Sequence, residues 1–183
     1  PVNITLDGST LTLTAVPELS GVLEITVTAK DSDENYAFES FTVEVLTSIE
    51  SEGFVALNSD SSGKLYANSL AIQDRAGKHI STSHYAGWKT LAVETLDGAN
   101  NVLWESTATG QLVYWSTDAA WNWTSNFGVC YAGSADYYTA ETRFGIDIDH
   151  DGTVGTPEQV LTSIESEGFV ALNSDSSGKL YAN

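Results

Sequence analysis

The chain reads as an all-β protein, and three observations predict it. Apolar and polar residues alternate through its first quarter, the period of strands with one covered face. Beyond that, clusters of Gly, Asn, Asp and Ser cut the sequence into short runs of strand length. No segment shows a 3.6-residue apolar period of useful length, so little helix is expected.

Residues 2–6 and 11–14 alternate, as do residues 23–27 and 41–45. The breaks at 7–9, 17–21 and 31–35 have turn composition. An immunoglobulin-like sandwich needs about seven strands over roughly 100 residues, so these four make half of one. From Ser48 to Gly155 the texture changes to short strands, many turns and all five tryptophans. Residues 54–57 and 64–67 flank a polar turn, and residues 90–96 and 102–105 flank another at 97–101, both of hairpin character. Residues 112–115 and then Trp121-Asn122-Trp123 follow.

Residues 45–68, VLTSIESEGFVALNSDSSGKLYAN, return unchanged as residues 160–183. Identity reaches Ser59, Ser61 and Ser62 and their partners Ser174, Ser176 and Ser177, positions where selection for a fold tolerates change. Recent duplication or deliberate assembly is the consequence, with a period of 115 residues. Three parts are predicted: a partial sandwich over 1–45, one complete unit over 46–159, and the opening of the next unit over 160–183. Half-domains alone would expose apolar faces and strand edges, so the two flanking parts are expected to pack on neighbouring copies, by strand exchange in the simplest case.

With 25 acidic and 7 basic side chains the formal net charge is -18, and no basic patch exists to hold phosphate. Nucleic acid and anionic membranes are excluded as partners, whereas cations are favoured. No run is apolar enough for membrane insertion or for a signal peptide, so any export signal is expected outside this segment. The lone cysteine, Cys130, reads as a small buried hydrophobe.

Residues 147–158, DIDHDGTVGTPE, carry the clearest chemistry. Asp147, Asp149 and Asp151 at spacing two, Gly152 for a sharp turn, Thr153 offering its carbonyl and Glu158 in twelfth place follow the pattern of a calcium loop. Alternate side chains converge when the chain coils around an ion. Two features depart from an EF-hand: residues 144–148 upstream read as β rather than helix, and Pro157 precedes Glu158, which also fits a linker into the next unit. Without a cation three such aspartates would repel one another. Asp31, Asp33 and Glu34 read either as further calcium ligands or as a solvated acidic turn.

Trp121 and Trp123 share a face if they lie on one strand. With Trp88, Trp104, Trp115, Tyr131, Tyr137 and Tyr138 they form either an aromatic core or a platform on which sugar rings stack. In the second case Trp121, Trp123 and Asn122 bind the sugar, with Asn126 and Asp118 nearby. His79 and His84 fall in a polar loop and no nucleophile stands in a triad context. Glu94, Glu105 and Glu141 read as solvated strand positions rather than paired catalytic carboxylates. No enzyme is expected.

Two resemblances follow from these residues. Residues 11–17, 25–31 and 41–43 resemble the C-terminal half of bacterial cadherin-like domains in giant secreted adhesins, which implies a spacer with calcium at its junctions. Residues 141–155, ETRFGIDIDHDGTVG, are similar to the signature of a tryptophan-rich domain first described at the C-termini of cyanobacterial proteins and repeated in tandem. Ile49-Glu50-Ser51, residues 63–66, Gly87-Trp88, Glu94, Asp97-Gly98, Trp104, Trp115 and Trp121-Asn122 agree with it. His150 stands where that family usually has glycine, so its side chain is expected to point away from the ion. This resemblance implies an extracellular repeat module with a calcium loop and no established enzymatic activity. The expected function is a structural module of a calcium-stabilised extracellular fibre or giant surface adhesin, partnered by its own copies. The alternative is a lectin-like module that binds surface glycans.

Overall fold

The computed structural model of the chain describes residues 2–7, 10–15, 21–157, 162–165, 172–175 and 178–182, and within them strands dominate. Of the predicted turns at 7–9 and 17–21, residues 8–9 and 17–20 lie outside the described residues, as does Glu158. The first four strands form two hairpins, β1 (Val2–Asp7) with β2 (Thr10–Ala15) and β3 (Gly21–Lys30) with β4 (Tyr36–Val45). Leu13 of one hairpin and Leu23, Ile25 and Val43 of the other line a common cavity of about 290 Å³. Among the described side chains none in these hairpins is fully buried, and Leu6 and Phe38 are largely exposed.

Two antiparallel meanders follow. The first is β5 (Thr47–Glu50), β6 (Leu57–Ser59), β7 (Leu65–Ala67) and β8 (Leu70–Ala71). The second is β9 (Trp88–Leu96), β10 (Ala99–Ser106), β11 (Leu112–Thr117) and β12 (Trp123–Cys130). The turn expected over 97–101 shortens to two residues, because Asn100 and Asn101 pair with Thr95 and Glu94 in the ladder. Asp97 and Gly98 take φ of 53° and 80°, the left-handed pair whose twist matches the flanking strands.

This second sheet is covered on both faces. On one face Val93, Val102, Trp104, Trp115 and Trp121 pack with Leu57, Leu65, Ala67, Ile72 and Ile80. On the other, Ala92, Leu103, Leu112, Tyr114 and Cys130 meet Tyr137, Ala140 and Phe144 of a helix, α1 (Ala135–Phe144). Double coverage explains why residues 92–94 and 101–104 are buried in succession instead of alternately. Each fully buried Leu, Ile or Val contributes roughly 1.5–3 kcal/mol. Cys130 is buried as expected, 3.8 Å from the Tyr114 hydroxyl. Burial pushes both the thiol and the phenol up from their usual pKa ranges.

This short helix agrees with the little helix expected, but it replaces the β reading of residues 144–148 with a helix end and a loop. Ser134 caps its start by accepting from the Tyr137 amide at 3.2 Å, and Gly145, left-handed at φ 72°, ends it. Its buried residues Tyr137, Ala140, Glu141 and Phe144 do follow a 3.6-residue period. A glutamate inside that stripe hides it from a reading of hydrophobicity.

One turn recurs. At Asp31, Asp60, Asp74, Asp118 and Asp175 the carboxylate accepts the amide four residues on, at 2.9 Å each time. The residue three places on is left-handed in all five: Glu34, Gly63, Gly77, Trp121 and Gly178. Many of the acidic side chains are thus held by backbone amides. Asp31 belongs to this class and Glu34 pairs with Lys30 at 2.8 Å, so that region has the geometry of an acidic turn.

The repeated segment forms β13 (Thr162–Glu165), β14 (Leu172–Ser174) and β15 (Leu180–Ala182). Thr162 pairs with Ser174 as Thr47 pairs with Ser59, and the register shift between Ser48 and Glu50 returns between Ser163 and Glu165.

Candidate functional site

Two constellations stand out, an aromatic pocket and an acidic loop. The pocket, of about 440 Å³, opens on the sheet face that carries the first core. Trp104 and Val113, opposite each other in the ladder, line it beside Trp115, whose ladder partner is Asn126. Trp88 and Trp123 add two more indoles. Tyr85 sets its ring edgewise at 5.5 Å from Trp104 and 5.6 Å from Trp115, and those two indoles lie 4.9 Å apart. Such pairs add about 0.5–1.5 kcal/mol beyond burial, so the walls are stiff.

The polar groups at the pocket come from the Asp74 turn and from β12. The Lys78 amide, above all, holds the Asp74 carboxyl below the usual aspartate range, and Asp74 also accepts from or pairs with His84 at 3.2 Å. The His84 ring in turn meets Tyr85 edgewise at 4.6 Å. Arg75, next in the same turn, lies over the Trp123 ring at 5.4 Å. The Trp123 Nε1–H donates to Asn126 Oδ1 at 2.9 Å, which fixes that amide's orientation. Trp104 Nε1 and Thr90 Oγ1, on ladder-paired residues, are buried without a hydrogen-bond partner among the described residues.

The ligand residues expected from sequence divide. Trp123 lines the pocket, and Asn126 joins it. Trp121 does not: it is 4% exposed and sits in the first core, outside β12 and left-handed at φ 63°, as the fourth residue of the Asp118 turn. Asn122 gives both its backbone and side-chain N–H groups to Asp118, so it closes a turn. Tyr137 belongs to the second core, where burial, reinforced by nearby carboxylates, pushes its phenol up to about 12.

The acidic loop follows α1 directly. Glu141, fully buried, accepts from the amides of Ile148 at 2.9 Å, Asp149 at 3.2 Å and Gly155 at 3.0 Å, so one helical carboxylate clamps both ends of the loop. A Cβ at Gly155 would fall 2.5 Å from Thr142 Oγ1, hence the glycine. Oxygens of Glu141, Asp147 and Asp149 lie within 4.8 Å of one another, and this is the one such group among the described residues. Burial, with the charges of Glu141, Asp151 and Asp147, pushes the Asp149 carboxyl up against the opposing pull of the Asp151 amide. Asp151 turns its carboxylate to the Thr153 amide at 2.8 Å, and Thr153 is exposed. His150 is exposed too.

Sequence reasoning therefore missed Glu141, which it placed with Glu94 and Glu105 as solvated strand positions. Glu94 is also buried, and accepts the Phe54 and Val55 amides at 2.8 and 3.3 Å. Glu105 is half-buried and pairs with Lys89 at 2.7 Å.

A doubly covered four-stranded sheet with an indole-lined pocket and a clamped acidic loop defines a tryptophan-rich β domain. The chain belongs to the family described as the tryptophan-rich Synechocystis species C-terminal domain, whose model matches residues 63–155. That span holds both constellations. No curated protein and no solved structure matches the chain.

Proposed function

We propose that the chain is a non-catalytic structural module of an extracellular, calcium-stabilised fibre or surface adhesin built from tandem copies. The observation that carries this reading is the unchanged return of residues 45–68 as 160–183, together with the return of their strand register. In the first copy Leu57 and Leu65 are covered by Ile72, Ile80 and the central sheet. In the second, Leu180 is 59% exposed, and the same cover, supplied by a neighbouring copy through strand exchange, fits it. The cadherin-like hairpins at 1–45 act as a spacer in this reading.

Calcium suits the loop because carboxylate oxygens are its preferred ligands. Glu141, Asp147 and Asp149 would hold it, with Asp151, the Thr153 carbonyl and Glu158 as the remaining candidates. The ion would supply charge neutralisation, tying the loop to α1 and so to the sheet. The test is thermal unfolding of the full chain. Calcium should raise the midpoint and a chelator should reverse it, whereas an unchanged midpoint at millimolar calcium would remove the calcium-stabilised reading.

A second reading, a carbohydrate-binding adhesion module, is favoured by the pocket itself, which four indoles line, two of them, Trp88 and Trp123, only half-buried and so open to a sugar ring. Titration of a glycan panel against tryptophan fluorescence tests it; no response across the panel would discard it.

A further inference from the structure

From Arg75, the one cation among the described residues that line the pocket, we infer the ligand class: a glycan that carries a carboxylate, with its sugar ring on the indoles and its acid group on Arg75. The inference rests on the carbohydrate-binding reading and narrows it. Arg75 is one of only 7 basic residues in a chain with 25 acidic ones, yet it lies at the aromatic pocket. Its guanidinium lies over Trp123, 5.4 Å from the ring centroid, and has no carboxylate or hydrogen-bond partner among the described residues. Its neighbour Asp74 offers no competition, being occupied by the Ala76 and Lys78 amides and by His84.

A guanidinium held over a ring by cation–π attraction keeps its N–H groups available, and their edge matches a carboxylate with two parallel hydrogen bonds. That contact also restricts the long side chain in advance, so less freedom is lost when the ligand arrives. Asn126 supplies the next contact. Its Oδ1 is taken by Trp123, so its Nδ2 hydrogens remain to donate to a sugar hydroxyl. A neutral sugar would use the indoles and Asn126 but leave Arg75 idle.

The experiment titrates the full chain, followed by tryptophan fluorescence, with galacturonic acid oligomers, galactose oligomers of the same length, and sodium acetate. The acidic oligomer should bind about tenfold more tightly than the neutral one, as expected for one charge-assisted contact. Arg75→Gln, at an exposed position, should remove that preference, whereas Trp123→Ala should weaken binding of both sugars. Equal binding of the two sugars by the wild type, a preference that survives in Arg75→Gln, or acetate binding as tightly as the acidic oligomer would each overturn the inference. Neutral binding alone would leave the glycan reading standing without it. Silence toward all three probes would end both.

Discussion

Residues 45–68 and 160–183 are one sequence in two settings, and the difference separates local from distant causes. Both copies form the same three-stranded meander in the same register, and both close the same turn, with Tyr66 donating to Asp60 at 3.1 Å and Tyr181 to Asp175 at 2.9 Å. Register is therefore set within the segment, by its alternation and by its Asp turn. Burial is not. Leu65 and Ala67 are 0% and 1% exposed in the first copy, while Leu180 is 59% exposed and Ala182 is exposed in the second. The first copy's cover, Ile72, Ile80, Val93 and the indoles, comes from residues that follow it in the same unit.

Substitution should expose this asymmetry most strongly. Leu65→Ala should destabilise the chain by about 2–5 kcal/mol in urea unfolding, the cost of a cavity in a packed core. Leu180→Ala should stay within about 0.5 kcal/mol in dilute solution, as at exposed sites. Equal costs would mean that the second copy is covered in the free chain too.

The next effect sharpens the covered unit's own closure. Glu141→Gln should cost about 1–3 kcal/mol, since an amide cannot accept from the three loop N–H groups as a carboxylate does. It should also blunt any rise in midpoint caused by calcium. A variant as stable and as calcium-responsive as the wild type would show that the loop is not clamped through the helix.

The smallest effect is the acid response of the recurring Asp turn, which the copies carry at Asp60 and Asp175 and the intervening unit at Asp74 and Asp118. The Asn122 side-chain amide, first of its causes, holds Asp118 below its ordinary value of 3.8, and the Lys78 amide does the same for Asp74. At Asp60 burial pulls upward, but the Ser62 hydroxyl and the amides of Lys64 and Ser62 outweigh it and leave the carboxyl low. A carboxyl lowered on folding stabilises above its unfolded value and loses that contribution as pH falls through the folded one. Stability should hold from neutrality to about pH 4 and decline below it. Asp118→Asn should flatten that decline slightly, and a steeper decline in the variant would refute the assignment.

The strands were legible because alternation and turn composition are local signals. The all-β class followed from them. The helix was not, because Glu141 occupies its buried stripe and reads as polar until the loop it clamps is seen. Trp121 misled for a related reason. It holds a left-handed turn position that glycine fills at Gly63, Gly77 and Gly178, so an apparent strand alternation with Trp123 was a turn followed by a strand. Asp147 and Asp149 were found by spacing, while Glu141, six residues earlier on another element, obeys no loop pattern. Trp123 was found by residue type. Arg75 and Tyr85 reach the same pocket from a distant loop, and only the fold joins them.

Whether the exposed face of the second copy takes its cover from a neighbouring copy, as proposed, is read by sedimentation velocity of the full chain over a wide concentration range in calcium. Association should grow with concentration and be abolished by Leu180→Asp. A wild-type chain that remains monomeric at every concentration, indistinguishable from that variant, would contradict the proposal.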